Sequence, residues 1–155
     1  MKIVINRCYG GFSLSPLAIK ELAKLNGKDC YFFNCMNKER EYKEREYKEL
    51  TIEEATKSIV WSAYSVSNPQ DYNLSERDSD GLFKSANRRA KEISLTDYNV
   101  DRSNKHLIFT IEKLGKKANT RFSDLVVVEI PDGIDYTIEE YDGMEHISEV
   151  HRTWS

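Results

Sequence analysis

The sequence predicts an α+β fold, a mostly antiparallel sheet with helices packed on it, in a single domain. Three observations carry this. Apolar runs of strand length stand near both ends, Ile3-Val4-Ile5 and Leu125-Val-Val-Val-Glu-Ile130. Between them, apolar residues recur at helical spacing behind recognisable helix-start signals. The length, 155 residues, is that of one domain.

Ile3, Val4 and Ile5 form a first strand, and their unbroken run suggests a central position. Ser15 caps a helix with Pro16 at its first position, Leu14 and Ile19 form a staple, Leu22 and Leu25 extend the apolar face, and Asn26-Gly27 ends it. Cys30-Tyr-Phe-Phe-Asn-Cys35 reads as a second strand. The pentapeptide Glu-Arg-Glu-Tyr-Lys then occurs twice, at 39–43 and 44–48. Its charge spacing fits a helix, and a ribbon continuing the strand fits equally; in both cases the default is a solvated face.

Thr51-Ile-Glu-Glu54 is a capping box. The helix behind it is expected to carry Ile52, Ala55, Ile59, Ala63 and Val66 on one face, with Trp61 off it, until Ser67-Asn-Pro69. A polar loop runs from Gln70 to Asp80. Leu82, Ala86, Ala90 and Ile93 have helical spacing, with Lys84, Arg88, Arg89 and Lys91 on other faces. Ser103 is placed as the cap of a further helix that Gly115 ends. There Leu107, Ile111 and Leu114 make the buried stripe and Phe109 points to nearly the opposite side. Such an aromatic suits a stacked ligand, a covering loop or a second subunit. After Leu125–Ile130, Pro131-Asp-Gly133 turns the chain, and Ile134, Tyr136 and Ile138 alternate as an antiparallel partner strand. Tyr141-Asp-Gly143 is another turn, and the tail from Met144 to Ser155 is rich in Glu and His.

Composition narrows the function. The net charge is −3, from 23 basic and 26 acidic side chains, which disfavours a nonspecific duplex-DNA binder. Cys8, Cys30 and Cys35 are an odd set without a C-x-x-C pair, so a reducing cytoplasm is expected rather than a disulfide framework. No basic segment leads into an apolar stretch near the N-terminus, and no apolar run approaches membrane-spanning length.

One segment points to a ligand: Asn6-Arg7-Cys8-Tyr9-Gly10-Gly11-Phe12-Ser13-Leu14-Ser15, between the first strand and the first helix. Glycines admit close approach of backbone N–H groups, and a helix N-terminus favours an anion. Arg7, Tyr9 and Phe12 add a cation and two stacking faces. The corner therefore suits a small, anionic, ring-bearing ligand such as a nucleotide; the alternative is a tight turn whose glycines serve only the backbone. Catalytic signatures fail. There is no Walker A loop and no G-x-G-x-x-G, and the arginine of a cysteine-phosphatase loop is replaced by Leu14. His146 and His151 are five apart, which is poor zinc spacing, and no nucleophile elbow is present. No catalytic residue, metal ligand or cofactor is assigned, and the reading tilts to binding without turnover.

The opening Lys2-Ile-Val-Ile-Asn-Arg-Cys-Tyr-Gly-Gly-Phe-Ser-Leu-Ser15 and the closing Ile130-Pro-Asp…Tyr141-Asp-Gly143…Glu149-Val-His-Arg-Thr-Trp154 resemble a family of small phage and prophage proteins, the Thoeris anti-defence sponges. Asp101-Arg-Ser-Asn…Leu107-Ile…Glu112-Lys-Leu-Gly115…Ala118-Asn119 fits the same pattern. The resemblance covers the two ends and Asp101–Asn119; the stretch from about Asn37 to Val100 is unmatched and reads as an insertion, around 37–100. It implies a protein of the infected cell's cytoplasm that sequesters a cyclic ADP-ribose isomer of the glycocyclic type and leaves it uncleaved. It also implies homo-oligomers built from dimers with pockets at the dimer interface, some holding cyclic oligonucleotides. By the same resemblance Phe109 is the stacking aromatic and Asn119 lines the pocket. Arg7 and Arg152 are candidates for phosphate contacts on chemical grounds, because a guanidinium fork gives two charge-assisted donors. With Tyr9, Gly10, Gly11 and Phe12 they complete the candidate site. Two other functions compete: a nucleotide-hydrolysing, phosphodiesterase-like enzyme, and a phage protein–protein interaction module.

Overall fold

The computed structural model describes residues 1–37, 45–72, 92–95 and 101–150. In chain order the elements are β1 (Lys2–Asn6), α1 (Pro16–Leu25), β2 (Tyr31–Asn37), β3 (Arg45–Leu50), α2 (Ile52–Lys57), β4 (Ser62–Tyr64), a 3-10 turn (Pro69–Tyr72), α3 (Lys105–Leu114), a second 3-10 turn (Gly115–Ala118), β5 (Leu125–Glu129), β6 (Tyr136–Tyr141) and β7 (Met144–Glu149). Every ladder among the described residues is antiparallel, and the class is α+β. No described helix is long and apolar enough to cross a membrane. The chain divides into two compact units, Met1–Ala18 with Tyr98–Ser155, and Ile19–Asp97.

In the first unit β1 pairs with β5, Lys2 opposite Glu129 and Asn6 opposite Leu125. Ile3, Val4, Ile5 and Asn6 are all buried, which is why the run is unbroken. The expected central position is corrected, because β5 is the only strand that pairs with β1 among the described residues. The other edge of β1 bonds to non-strand groups. Val4 N–H donates to the Arg102 carbonyl and Asn6 N–H to the Glu145 carboxylate, each at 2.9 Å. The expected pairing of β6 with β5 is also corrected, since β6 pairs with β7, Ile138 opposite Ile147. The deciding signal is Asp142-Gly143. Both residues take positive φ, 50° and 86°, as a two-residue hairpin loop of matching twist requires.

Helix α3 packs on β1 and β5 through Leu107, Thr110 and Ile111. Its cap is Asn104, one residue beyond the expected Ser103. Asn104 Oδ1 accepts from the N–H of His106 and Leu107 at 2.9 and 3.3 Å. Ser103 is held instead by the Asp101 carboxylate. Gly115, at φ 52°, ends the helix as expected. Helix α1 also follows its signals. Ser15 Oγ accepts from Ala18 N–H at 3.2 Å. At the other end Gly27 has φ 69°, and Lys28 N–H reaches back to the Ala23 carbonyl at 2.9 Å.

In the second unit β2 lies between β3 and β4, with Phe33 opposite Glu49 and Ser62. Phe33, Tyr64 and Ile93 form a buried cluster, flanked by Tyr31, Tyr47 and Val66. Phe32, which alternation sends to the other face of β2, meets the Trp61 ring edge-on at 5.6 Å between centroids. The ribbon alternative for the charged repeat is the observed one from Arg45 onward; residues 38–44 lie outside the described residues. Tyr47 turns to the cluster between the exposed Glu46 and Lys48.

The Thr51–Glu54 capping box is present. The helix behind it, expected to reach Val66, stops at Lys57, with Ser58 already extended at ψ 150°. Ile59 and Val60 are exposed, and Ser62–Tyr64 is a strand. Pairing with β2 buries Ala63 and Tyr64, which overrides a helical spacing that was present only as a pattern. The helix expected around Leu82, Ala86 and Ala90, with its basic residues, lies outside the described residues except for Ile93.

Candidate functional site

The corner after β1 is built around Asn6, whose side chain is completely buried. Its Nδ2 donates to the carbonyls of Cys8 and Gly143, each at 2.7 Å. Its Oδ1 accepts from Asp124 N–H at 2.7 Å. One carboxamide thereby ties together the glycine loop, the start of β5 and the β6–β7 turn. An asparagine suits this place because it carries two donors and an acceptor on one rigid plane.

Beside it, Arg102 and Glu145 form a two-pronged ion pair, with N–O distances of 3.0 and 2.9 Å. Both side chains are largely shielded, at 18% and 7% exposure. The Arg102 guanidinium also lies 3.3 Å from the centre of the Phe12 ring. The stack Phe12–Arg102–Glu145 satisfies the charge and fixes the end of the glycine loop.

Backbone approach explains Gly10, and backbone conformation explains Gly11. A Cβ on Gly10 would collide with the Phe122 carbonyl. Gly11 has φ 89°. Gly143 comes from the other side, so that a Cβ there would run into Gly11 N and stand 2.8 Å from the Tyr9 carbonyl. The Cys8 thiol donates to the Phe122 carbonyl at 3.0 Å. Three backbone segments, around Tyr9, Phe122 and Asp142, therefore meet here.

The structure places each candidate residue as follows. Arg7 is exposed, with its guanidinium 3.9 Å from Asp124. Tyr9 is 63% exposed. Gly10 and Gly11 pack against their own chain, and one face of Phe12 is taken by Arg102. The N-terminus of α1 meets carbonyl oxygens of its own chain: Ser15 N–H donates to Ala118 and Ser15 Oγ to Lys117. Phe109 is 49% exposed on the side of α3 turned away from Leu107 and Ile111, with Lys113 Nζ 5.8 Å from its ring centre. Asn119 spends its carboxamide on the start of β5, accepting from Leu125 N–H at 3.0 Å and donating to Asp124 at 3.5 Å. Arg152 lies outside the described residues.

So Arg7, Tyr9, Gly10, Gly11 and Phe12 share the corner, Asn119 joins it through Asp124, and Phe109 lies on the exposed side of α3. Sequence reasoning passed over Asn6, Arg102 and Glu145, which organise the corner, and two exposed aromatics beside it, Phe122 (51%) and Tyr141 (78%). The available signals were Tyr141 leading into Asp142-Gly143 and Phe122 following Arg121, whose guanidinium carbon is 5.7 Å from the Phe122 ring centre.

No protein-family model matches the chain, and no match is found among curated proteins or solved structures.

Proposed function

We propose that this chain is a phage-encoded sponge. In this reading it binds a cyclic ADP-ribose isomer of the glycocyclic type, holds it intact and so interrupts bacterial Thoeris signalling in the cytoplasm of the infected cell. It works as a homo-oligomer built from dimers. The resemblance of the two chain ends and of Asp101–Asn119 supports the family.

The observation that carries the binding chemistry is Phe109. A half-exposed ring beside a lysine offers a stacking face for a base next to a cation for a phosphate. Arg7, exposed at the glycine corner, is a second such cation. Affinity in this reading comes from stacking and charge-assisted donors, with no bond of the ligand broken.

The test is direct. The protein is incubated with cyclic ADP-ribose isomers and with cyclic dinucleotides, filtered, and the retained fraction heated. Release of unchanged ligand is expected. A changed mass identifies a nucleotide-hydrolysing enzyme instead. Phe109→Ala should weaken retention roughly 5- to 150-fold, corresponding to about 1–3 kcal/mol of stacking, with cooperative melting retained. A protein–protein interaction module is the second reading. The exposed Tyr9, Phe122 and Tyr141, carried by backbone segments that meet, favour it. Failure to retain any nucleotide would leave that reading in possession.

A further inference from the structure

We propose that the outer edge of β5 pairs with the same edge of a second copy of this chain, antiparallel about a two-fold axis at Val127. The proposal names the contact behind the assembly given above and rests on that part of the reading alone.

The Met1 amino group donates to the Ile130 carbonyl, Ile130 N–H donates to the Met1 carbonyl, and Arg7 N–H donates to the Asp124 carbonyl. In an antiparallel ladder, pairs that exchange bonds alternate with pairs that do not. Ile3 with Val128 and Ile5 with Val126 therefore bond inward, while Leu125, Val127 and Glu129 turn their N–H and C=O away from β1. On β1 the corresponding outward N–H groups of Val4 and Asn6 are taken by Arg102 and Glu145. On β5 only one outward donor is covered, Leu125 N–H, by the Asn119 carboxamide. The outward groups of Val127 and Glu129 meet no strand or side chain among the described residues.

The open stretch is thus bounded. Asn119 closes it at Leu125, and Pro131, which lacks an N–H, closes it beyond Ile130. Within it stand three consecutive valines, each half-buried, and none of the usual edge protections of lysine, proline or bulge.

A second copy fits this edge by its own pattern. With Val127 on the axis, the two Val127 residues exchange N–H and C=O with each other. Each Glu129 N–H then reaches the Leu125 carbonyl of the other copy, the one outward group at that residue that Asn119 leaves open. Across the pairing Val126 faces Val128, Leu125 faces Glu129, and Asp124 faces Ile130. No like charges are opposed, and apolar side chains meet at the centre. The contact is isologous, as a closed dimer requires.

The experiment measures the mass of the full chain in solution by light scattering for wild type, Val127→Pro and Val127→Cys, with nucleotide retention followed in parallel. Val127→Pro removes an outward N–H and no bond of the β1–β5 ladder, so a folded protein of half the wild-type mass or less is expected. Val127→Cys puts two thiols on the axis, where hydrogen-bonded partners have Cα atoms about 5.5 Å apart, within disulfide range. Mild oxidation should give a covalent dimer that wild type does not form. A wild type of single-chain mass overturns the proposal, as does a folded Val127→Pro of unchanged mass. Should Val127→Pro fail to fold, Val127→Cys decides, and absence of the cross-link overturns it. Retention of nucleotide without β5 pairing sinks this contact alone; pairing without retention sinks the sponge reading alone.

Discussion

In the first unit the loop after β1 is held by polar atoms on backbone: Asn6 reaches two carbonyls and an N–H, and Glu145 takes Arg102 and Asn6 N–H. In the second unit β2 is held by rings, with Phe33, Tyr47 and Tyr64 some 6.0–6.2 Å apart, centre to centre. The two devices differ in what they tolerate. Ring packing depends on volume and adapts to a neighbour of similar size. A buried hydrogen-bond node depends on the identity of each donor and acceptor, and fails when one is reversed. The polar device suits a corner where three backbones must meet at fixed distances. The aromatic device suits a small sheet that needs only to stay covered.

Substitutions can break this contrast. Asn6→Asp keeps the shape, removes both Nδ2 donors and sets a carboxylate against the Cys8 and Gly143 carbonyls. A loss of about 3 kcal/mol or more is expected in urea unfolding. Phe33→Leu changes shape and keeps the chemistry, and should cost only about 1–2 kcal/mol. The reverse order would end the contrast.

Next, Gly10→Ala forces a methyl into the Phe122 carbonyl and should cost about 2–3 kcal/mol. Gly11→Ala meets open space and only an unfavourable φ, at about 1 kcal/mol. Equal losses at the two positions would mean that the loop is not pinned at Phe122.

The smallest effect is in the second unit. Burial pushes the Cys30 thiol from 9.0 up to about 11, against a smaller opposing pull from Lys20. The folded state keeps the proton longer than the unfolded chain does. The stability from this group is therefore full below pH 9 and is lost as the pH rises toward 11. At pH 9, alkylation of Cys30 in the folded protein should run roughly 50-fold slower than in urea. Equal rates would place Cys30 in water.

What was legible in the sequence was local. Ser15-Pro16, Asn26-Gly27 and Thr51–Glu54 each act within one turn of backbone, and each does in the structure what it signals. The side of α3 that carries Phe109 follows from spacing alone. The failures needed a partner from elsewhere. The helix expected to run to Val66 gave way to β4 because β2 had an edge to fill. The partner of β6 was decided by Asp142-Gly143, a tighter turn than Pro131-Asp-Gly133. At the corner, the glycine pair was found as a motif, but the groups that surround it were not. Arg102 and Glu145 are 43 residues apart, and no short-range pattern links them. Asn119 lies near the corner and spends its amide on β5, a role that no spacing announces.

The bond from Asn6 N–H to Glu145 spans 139 residues. On the ribosome, the first strand emerges long before the carboxylate that will seal its edge has been translated. Its isoleucines and valine stay bare, sticky chain for the whole of that interval. This unit is therefore expected to close only once Glu145 has left the ribosome, with the apolar strand open to aggregation until then.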